Sequence, residues 1–119
     1  MIYFASAPFK TGWKMEPSQF AASLVRDWPA AKIRHHTFAS TFPLDWKIEM
    51  PGGLLLGDFS YAPLGITVDG DFDDCIAFAL WFRSLVPAAQ PLLFYDEGFS
   101  ADVPLTFETT GEDLRAVFG

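Results

Sequence analysis

This 119-residue sequence is poor in the residues that mark several large classes of protein. Its single cysteine, Cys75, permits no intramolecular disulfide, and we expect a reducing, cytoplasmic location. Eight lysines and arginines stand against fifteen aspartates and glutamates, so the basic stripe of a nucleic-acid-binding domain is absent. No apolar run approaches a membrane span, and the apolar start lacks the basic region of an export signal.

The sequence motifs of common enzymes are also missing. There is no Gly-x-Ser-x-Gly elbow, no phosphate-binding loop and no dinucleotide fingerprint. His35 and His36 are adjacent, so on a strand they would point to opposite faces and could not share a metal ion. We expect one of them to be packed in the core and the other to be exposed. The sequence predicts no catalytic residue, no metal and no cofactor, and therefore a protein that is not an enzyme.

Apolar and aromatic residues, in contrast, are abundant. Half of the residues are hydrophobic and 17% are aromatic, including thirteen phenylalanines and four tryptophans. We expect residues 1–119 to form a single globular domain, which at this size buries roughly two-thirds of its unfolded surface. So many rings exceed the capacity of one small core. Some should therefore be exposed, either in a surface for another protein or in a homodimer.

Apolar periodicity predicts a mixture of strands and helices. Residues 44–50 alternate between apolar and charged side chains, the pattern of a strand with one solvated face. Phe20, Leu24 and Trp28 recur at four-residue steps in a helix that Pro17 opens. Pro51 and Gly52 predict a turn with Gly52 at positive φ. Other strands are expected at residues 2–7, 32–38, 54–61, 64–69 and 91–97, with a short edge strand within 98–105 and a last helix after a capping box at 109–112.

The segment from Leu64 to Glu97 organises the predicted fold. Its eight consecutive apolar residues, Cys75 to Phe82, leave no polar face, so this helix must be covered on most sides, and Cys75 should be inert core. The flanking strands then form a strand–helix–strand crossover with both strands running in the same direction. The prediction is an α+β domain: a mainly antiparallel mixed sheet of about five to six strands with two or three helices packed on it.

The crossover would bring two groups of carboxylates to one edge of the sheet. Residues 51–119 hold two basic and eleven acidic residues, so this half of the chain carries a net charge of −9. Such an edge would steer a basic partner protein towards it, although acidity can also serve solubility alone. We call this edge the acidic rim. The predicted partner-binding residues are Asp69, Asp71, Asp73, Asp74, Tyr95, Asp96, Glu97, Phe99 and Asp102.

Residues 69–74 also resemble the start of a calcium loop, because acids occupy its first, third and fifth positions. The resemblance fails where Asp74 replaces the required glycine and Leu80 replaces the bidentate glutamate. A helix cap at Asp71, with Asp73 and Asp74 in the first helical turn, explains these acids better. The pattern therefore favours a structural role over a metal site.

An alternative function is a small enzyme or ligand-binding protein with a carboxylate site at Asp96 and Glu97. Sites in open α/β sheets gather at the carboxyl ends of strands, where these residues are expected. Acid–base catalysis would require two carboxyl groups whose pKa values are pushed apart by their surroundings.

Two stretches carry a resemblance to known proteins: Trp-Phe-Arg-Ser-Leu-Val-Pro at 81–87 and Leu-Leu-Phe-Tyr-Asp-Glu-Gly-Phe-Ser at 92–100. They resemble small acidic bacterial proteins and are similar in style to immunity proteins of polymorphic toxin systems. Such proteins neutralise a cognate toxin by binding it directly. The resemblance implies a small inhibitor that binds a basic protein, with no nucleic acid and no membrane as partner, and it assigns no binding residue.

Overall fold

In a computed structural model, residues 1–8, 14–36, 43–61 and 64–119 of the chain are described. Three helices lie on one face of a seven-stranded sheet. In chain order the elements are β1 (Ile2–Ser6), α1 (Pro17–Asp27), β2 (Lys32–His35), β3 (Leu44–Met50), β4 (Gly53–Tyr61), β5 (Leu64–Asp69), α2 (Phe72–Leu85), β6 (Leu93–Asp96), β7 (Asp102–Pro104) and α3 (Gly111–Phe118).

The strand order across the sheet is β2-β3-β4-β5-β1-β6-β7, and every neighbouring pair is antiparallel. Because β5 and β6 both pair with β1, they run in the same direction, and the crossover through α2 is confirmed. The α+β class is confirmed as well. The sheet has one strand more than the upper predicted number, and no parallel pair forms because β1 lies between the two strands of the crossover.

The hydrophobic core lies between the helices and one face of the sheet. Phe20 of α1 is fully buried and stacks on Phe59 of β4, with ring centroids 4.6 Å apart. Phe78 of α2 stacks on Trp46 of β3 at 5.2 Å. Opposite Trp46, Gly57 leaves room for the indole, since a Cβ there would come within 2.4 Å of the ring. The alternation of β3 thus points its apolar side chains at the helices, as its sequence predicts.

The ends of several elements differ from the prediction by one residue. In the β3–β4 turn the residue with positive φ is Gly53, at 123°, instead of Gly52. The capping box of α3 consists of Thr110 and Asp113, one position beyond the predicted pair. Thr109 instead accepts a hydrogen bond from the Thr106 N–H at 2.8 Å and stabilises the preceding turn. Both shifts have the same cause. Gly52 and Gly53 are adjacent glycines, and Thr109 and Thr110 are adjacent threonines, so the local sequence does not distinguish which residue of each pair takes the positive φ or caps the helix.

The two histidines also differ from the prediction, because both are exposed. His35 lies at the end of the edge strand β2, and the His36 Nε2 atom lies 2.9 Å from Asp45. Because β2 is an edge strand, it has a neighbouring strand on one side only, and both imidazole rings lie at the margin of the sheet, outside the hydrophobic core. The sequence also predicts a loop at 11–13 and turns at 39–43 and 62–63. All of these residues except Pro43, together with residues 37–38 of the predicted strand, fall outside the described residues.

Candidate functional site

The topology brings part of the acidic rim together at one end of the sheet. Asp69 ends β5, Asp96 ends β6, and the start of β1 lies between them, with Ile2 paired to Asp69 and Tyr3 paired to Asp96. A cleft of about 420 Å³ opens there. It is lined by Met1, Ile2, Asp69, Asp96, Glu97 and Gly98. The two carboxylate groups, 27 positions apart in the sequence, thus meet across one strand.

The three carboxylates of this cleft have different surroundings. Asp69 Oδ1 lies 3.3 Å from the Met1 amino nitrogen. Asp96 accepts hydrogen bonds from both the backbone N–H, at 2.8 Å, and the hydroxyl of Ser100. These bonds stabilise the ionised form and lower the pKa of Asp96 below its ordinary value. Glu97 is exposed, and its backbone N–H donates to the Ile2 carbonyl at 3.2 Å. At neutral pH this end of the molecule is therefore anionic.

The acids that follow Asp69 are used locally. Asp71 caps α2 by accepting from the Asp73 N–H at 3.1 Å. Asp73 pairs with the Arg115 guanidinium at 2.9 Å, which joins α2 to α3. Asp74 is only 7% exposed and accepts from the Gly52 N–H at 3.0 Å, which ties the β3–β4 turn to α2. These three carboxylates contribute to the fold, and a partner could not reach Asp74.

The predicted aromatic anchors lie on the face of the sheet opposite the helices. Tyr95 of β6 stacks between Phe4, at 5.0 Å, and Phe99, at 5.1 Å, and its hydroxyl lies 2.9 Å from the Ser6 hydroxyl. The Phe99 ring is 74% exposed. Asp102 of the edge strand β7 pairs with Tyr95 in register, so both side chains project from the same face. Phe4 completes the stack and was not foreseen, because its partner lies 91 positions away.

Phe99 has an unusual backbone conformation. Its φ is 52°, in the left-handed region that non-glycine residues with large side chains rarely adopt. Its N–H donates to the Asp96 carbonyl at 3.1 Å, closing the turn that Ser100 and the Asp96 carboxylate also stabilise. The turn holds a large apolar ring out against Tyr95, although solvent surrounds most of it. Residues held in sparsely populated backbone conformations cluster at active sites and ligand clamps, so Phe99 is a candidate contact residue.

Strand register places Asp69 and Asp102 on the same side of the sheet as this aromatic stack, and Glu97 follows the end of β6, two residues after Tyr95. We call the six residues the acidic–aromatic patch: Phe4, Asp69, Tyr95, Glu97, Phe99 and Asp102. Residues 51–119 contain two cations, Arg83 and Arg115, and both are engaged elsewhere. Among the described residues, neither Glu97 nor Asp102 forms an ion pair, so two of its three carboxylates remain uncompensated.

Arg83 is the polar residue whose structural role sequence reasoning missed. It is 3% exposed, and its guanidinium donates to the carbonyls of Val86, Pro87 and Gln90 at 2.8, 2.6 and 3.0 Å. The Phe107 ring lies over it, with the guanidinium carbon 4.7 Å from the centroid. Burial lowers the pKa of Arg83. A single arginine at the end of a long apolar helix was the available signal for a buried, carbonyl-binding cation.

The chemistry of a reactive site finds little support in this arrangement. Cys75 is buried, and burial raises the pKa of its thiol to about 12, so it remains protonated. The lowered pKa of Asp96 is the opposite of the shift that a general acid requires. Within the described ranges, no cluster of three or more histidine, cysteine, aspartate or glutamate side chains has the geometry to hold a metal ion. In the same part of the chain, no helix has the length and apolarity needed to cross a membrane.

Comparisons with protein-family models, with curated proteins and with solved structures gave no match. A large exposed ring beside uncompensated carboxylates is the chemistry that a protein-binding surface would need.

Proposed function

We propose that this chain is a small protein-binding domain, and that its acidic–aromatic patch docks on a basic protein. The form of this function that fits best is an immunity-type inhibitor: a bacterial, cytoplasmic protein that neutralises a toxin by covering its cationic active surface. The observation that carries the proposal is the Phe4–Tyr95–Phe99 stack with uncompensated carboxylates beside it.

The arrangement of the patch matches the anatomy of energetically important interfaces. Binding energy concentrates in a few central aromatic residues that become desolvated, and the surrounding charges mainly set association rate and partner choice. Tyr95 and Phe99 occupy the centre, and Glu97 and Asp102 the periphery. An arginine or lysine of the partner could lie over the Phe99 ring, which is 74% exposed, and reach either carboxylate.

The remaining parts of the proposal follow from charge and chemistry. With a net charge of −7 the chain repels nucleic acid and anionic membrane surfaces, and its field accelerates encounter with a cationic protein. A buried, protonated cysteine suits the reducing cytoplasm. Acid–base catalysis at Asp96 is disfavoured, because Ser100 holds the carboxylate ionised and lowers its pKa, whereas a proton donor needs a raised pKa.

Co-expression tests the proposal in cells. The protein is produced together with whatever large reading frame lies beside its gene, and growth is scored with and without induction of that neighbour. Rescue from toxicity is expected with the wild type and should be lost with Tyr95→Ala and with Glu97→Lys. Glu112→Lys makes the same charge change on the exposed first turn of α3 and should still rescue. Absence of toxicity, or equal rescue by Glu97→Lys, would count against the proposal.

A defined cationic probe tests the surface without the natural partner. An arginine-rich peptide is titrated into the labelled protein at low ionic strength, and amide chemical shifts are followed by NMR. Shifts should concentrate around Phe4, Tyr95 and Glu97 and weaken as salt rises, because an exposed charge interaction is screened over about 8–10 Å at 0.1–0.15 M salt. Equal shifts at the acids of α3 would show that the peptide follows net charge only, and would refute a specific site.

A further inference from the structure

The open face of the sheet is charged oppositely at its two ends. Strand pairing aligns one row of side chains across five strands and the residue after β6, in the order Lys32, Lys47, Leu56, Asp69, Ile2 and Glu97. The row therefore begins with two cations on β2 and β3 and ends with a carboxylate beyond β6. Its middle is apolar apart from Asp69, whose carboxylate lies against the Met1 amino group.

The two sides of this row are complementary to each other, because Lys47 and Glu97 lie at equal distances from Asp69, and so do Leu56 and Ile2. β5 is the fourth of the seven strands, so it is the centre of the sheet. A second copy can be placed face to face with the first, related to it by a two-fold axis that runs parallel to β5 between the two sheets. Each strand on one side of β5 in the first copy then lies over the strand that is equally far from β5, on its opposite side, in the second copy. β3 of one copy then covers β6 of the other, β4 covers β1, and β5 covers β5. Asp69 therefore faces Asp69 of the second copy at the axis, and the Met1 amino group beside each carboxylate offsets the repulsion between them. In an isologous contact of this kind every pairing between different strands occurs twice.

We propose that this face of the sheet binds a second copy of the chain and forms a two-fold symmetric dimer. In this dimer Lys47 of each copy lies over Glu97 of the other, and Leu56 lies over Ile2. The two strands that carry the charges are each about 10 Å from the axis, because neighbouring strands are about 4.8 Å apart. Sheets packed face to face cross at about 30°, so the pairing is best near the axis, where Leu56 and Ile2 meet.

Two properties of the isolated chain support this occupant. Leu54 and Leu56 are 51% and 43% exposed on the inner strand β4, where a solvated sheet face would carry polar residues. Lys32 and Lys47 are directly opposite each other on neighbouring strands, and like charges in that position repel. A carboxylate from a second copy would relieve this repulsion while Leu56 is covered.

The expected affinity is modest. Six strand spacings give a face about 29 Å wide, and a strand of five residues is about 17 Å long. Such a face buries on the order of 1,000 Å² in total, at the lower end of specific interfaces. The net charge of −7 on each copy also opposes association, although salt near 0.15 M screens it beyond about 8 Å. We therefore expect a dissociation constant in the micromolar range.

Sedimentation velocity at physiological ionic strength tests the dimer from about 10 μM to about 1 mM protein, the range in which such an affinity is visible. The wild type should shift from monomer to dimer. Lys47→Glu and Glu97→Lys should each weaken the dimer at least about tenfold, since each places two like-charge pairs in the interface. Mixed in equal amounts, these two variants should form a heterodimer, because both inter-chain pairs are then attractive. Lys14→Glu and Glu112→Lys repeat the charge changes off this face and should behave as the wild type.

Several outcomes would overturn the dimer. A wild-type protein that sediments as a monomer up to about 1 mM would refute the dimer. If Lys47→Glu and Glu97→Lys both dimerise as tightly as the wild type, the dimer uses another face. If each variant dimerises more weakly but their mixture forms no heterodimer, the predicted pairing of Lys47 with Glu97 is wrong. The result is separable from the partner proposal, since Lys47 lies outside the acidic–aromatic patch. Lys47→Glu should weaken the dimer while leaving toxin rescue intact.

Discussion

Replacing Arg83 tests whether a buried cation stabilises the connection after α2. In Arg83→Met the apolar stem is retained and the guanidinium is removed, so the carbonyls of Val86, Pro87 and Gln90 lose their donors. Val86 and Gln90 are buried, 1% and 7% exposed, whereas Pro87 is exposed and its carbonyl can turn to water. A hydrogen bond from a charged donor contributes about 1.5–3 kcal/mol, and two such bonds cannot be replaced.

The loss is partly offset, because the cation no longer has to be desolvated. We therefore expect Arg83→Met to lower the free energy of unfolding by about 2–4 kcal/mol. Urea unfolding followed by tryptophan fluorescence measures this loss, with an unchanged m-value as the sign that the two states are otherwise the same. The loss is a large share of the roughly 5–15 kcal/mol typical of a domain.

Two further variants separate charge from geometry. Arg83→Lys keeps the charge but not the planar fork, so it should be intermediate. Phe107→Ala removes the ring that lies over the guanidinium. Because Phe107 is 56% exposed, this change should lower the free energy of unfolding by only about 0.5–1 kcal/mol. A loss below about 1 kcal/mol for Arg83→Met would refute the reasoning, because the carbonyls would then be satisfied without the guanidinium. Full stability of Arg83→Lys would show that the fork geometry is unimportant.

Two other substitutions test the sheet. Burial raises the pKa of Asp58, and the Asp45 carboxylate opposite adds to the shift. The protonated Asp58 side chain therefore contributes stability that is fully present below the ordinary aspartate pKa near 3.9. This contribution is lost as pH rises through the pKa of Asp58 in the folded state. Asp58→Asn should therefore unfold at higher urea than the wild type at pH 7 and at the same urea near pH 3; a constant difference across pH would contradict this. Gly57→Ala brings a methyl group within 2.4 Å of the Trp46 ring and 2.9 Å of the Thr67 carbonyl, and should cost about 1–3 kcal/mol in urea unfolding. Gly53→Ala, where φ is 123° and nothing lies within 4 Å, separates backbone strain from this crowding, and full stability of Gly57→Ala would refute the packing argument.

The candidate site was only partly accessible to sequence reasoning. Asp69, Asp96 and Glu97 were expected at one edge because a covered helix between two strands makes both strands run the same way, and they do line one cleft. Asp71 was expected to cap α2, and it does. Pairing of Asp73 with Arg115 could not be foreseen, because the two residues are 42 positions apart and their meeting depends on where α3 packs. For the same reason, burial of Asp74 required the position of the β3–β4 turn.

By itself the sequence determined the kinds of element and most of their bounds. The alternation of residues 44–50, the four-residue spacing from Phe20, and the apolar run beginning at Cys75 depend on near neighbours, and periodicity alone sets which face is apolar. Only the tertiary structure decided that β1 lies between β5 and β6, and that Phe4 thereby stacks on Tyr95. Many strand orders bury similar apolar area, and the choice among them depends on contacts between residues far apart in the chain, which no local pattern records.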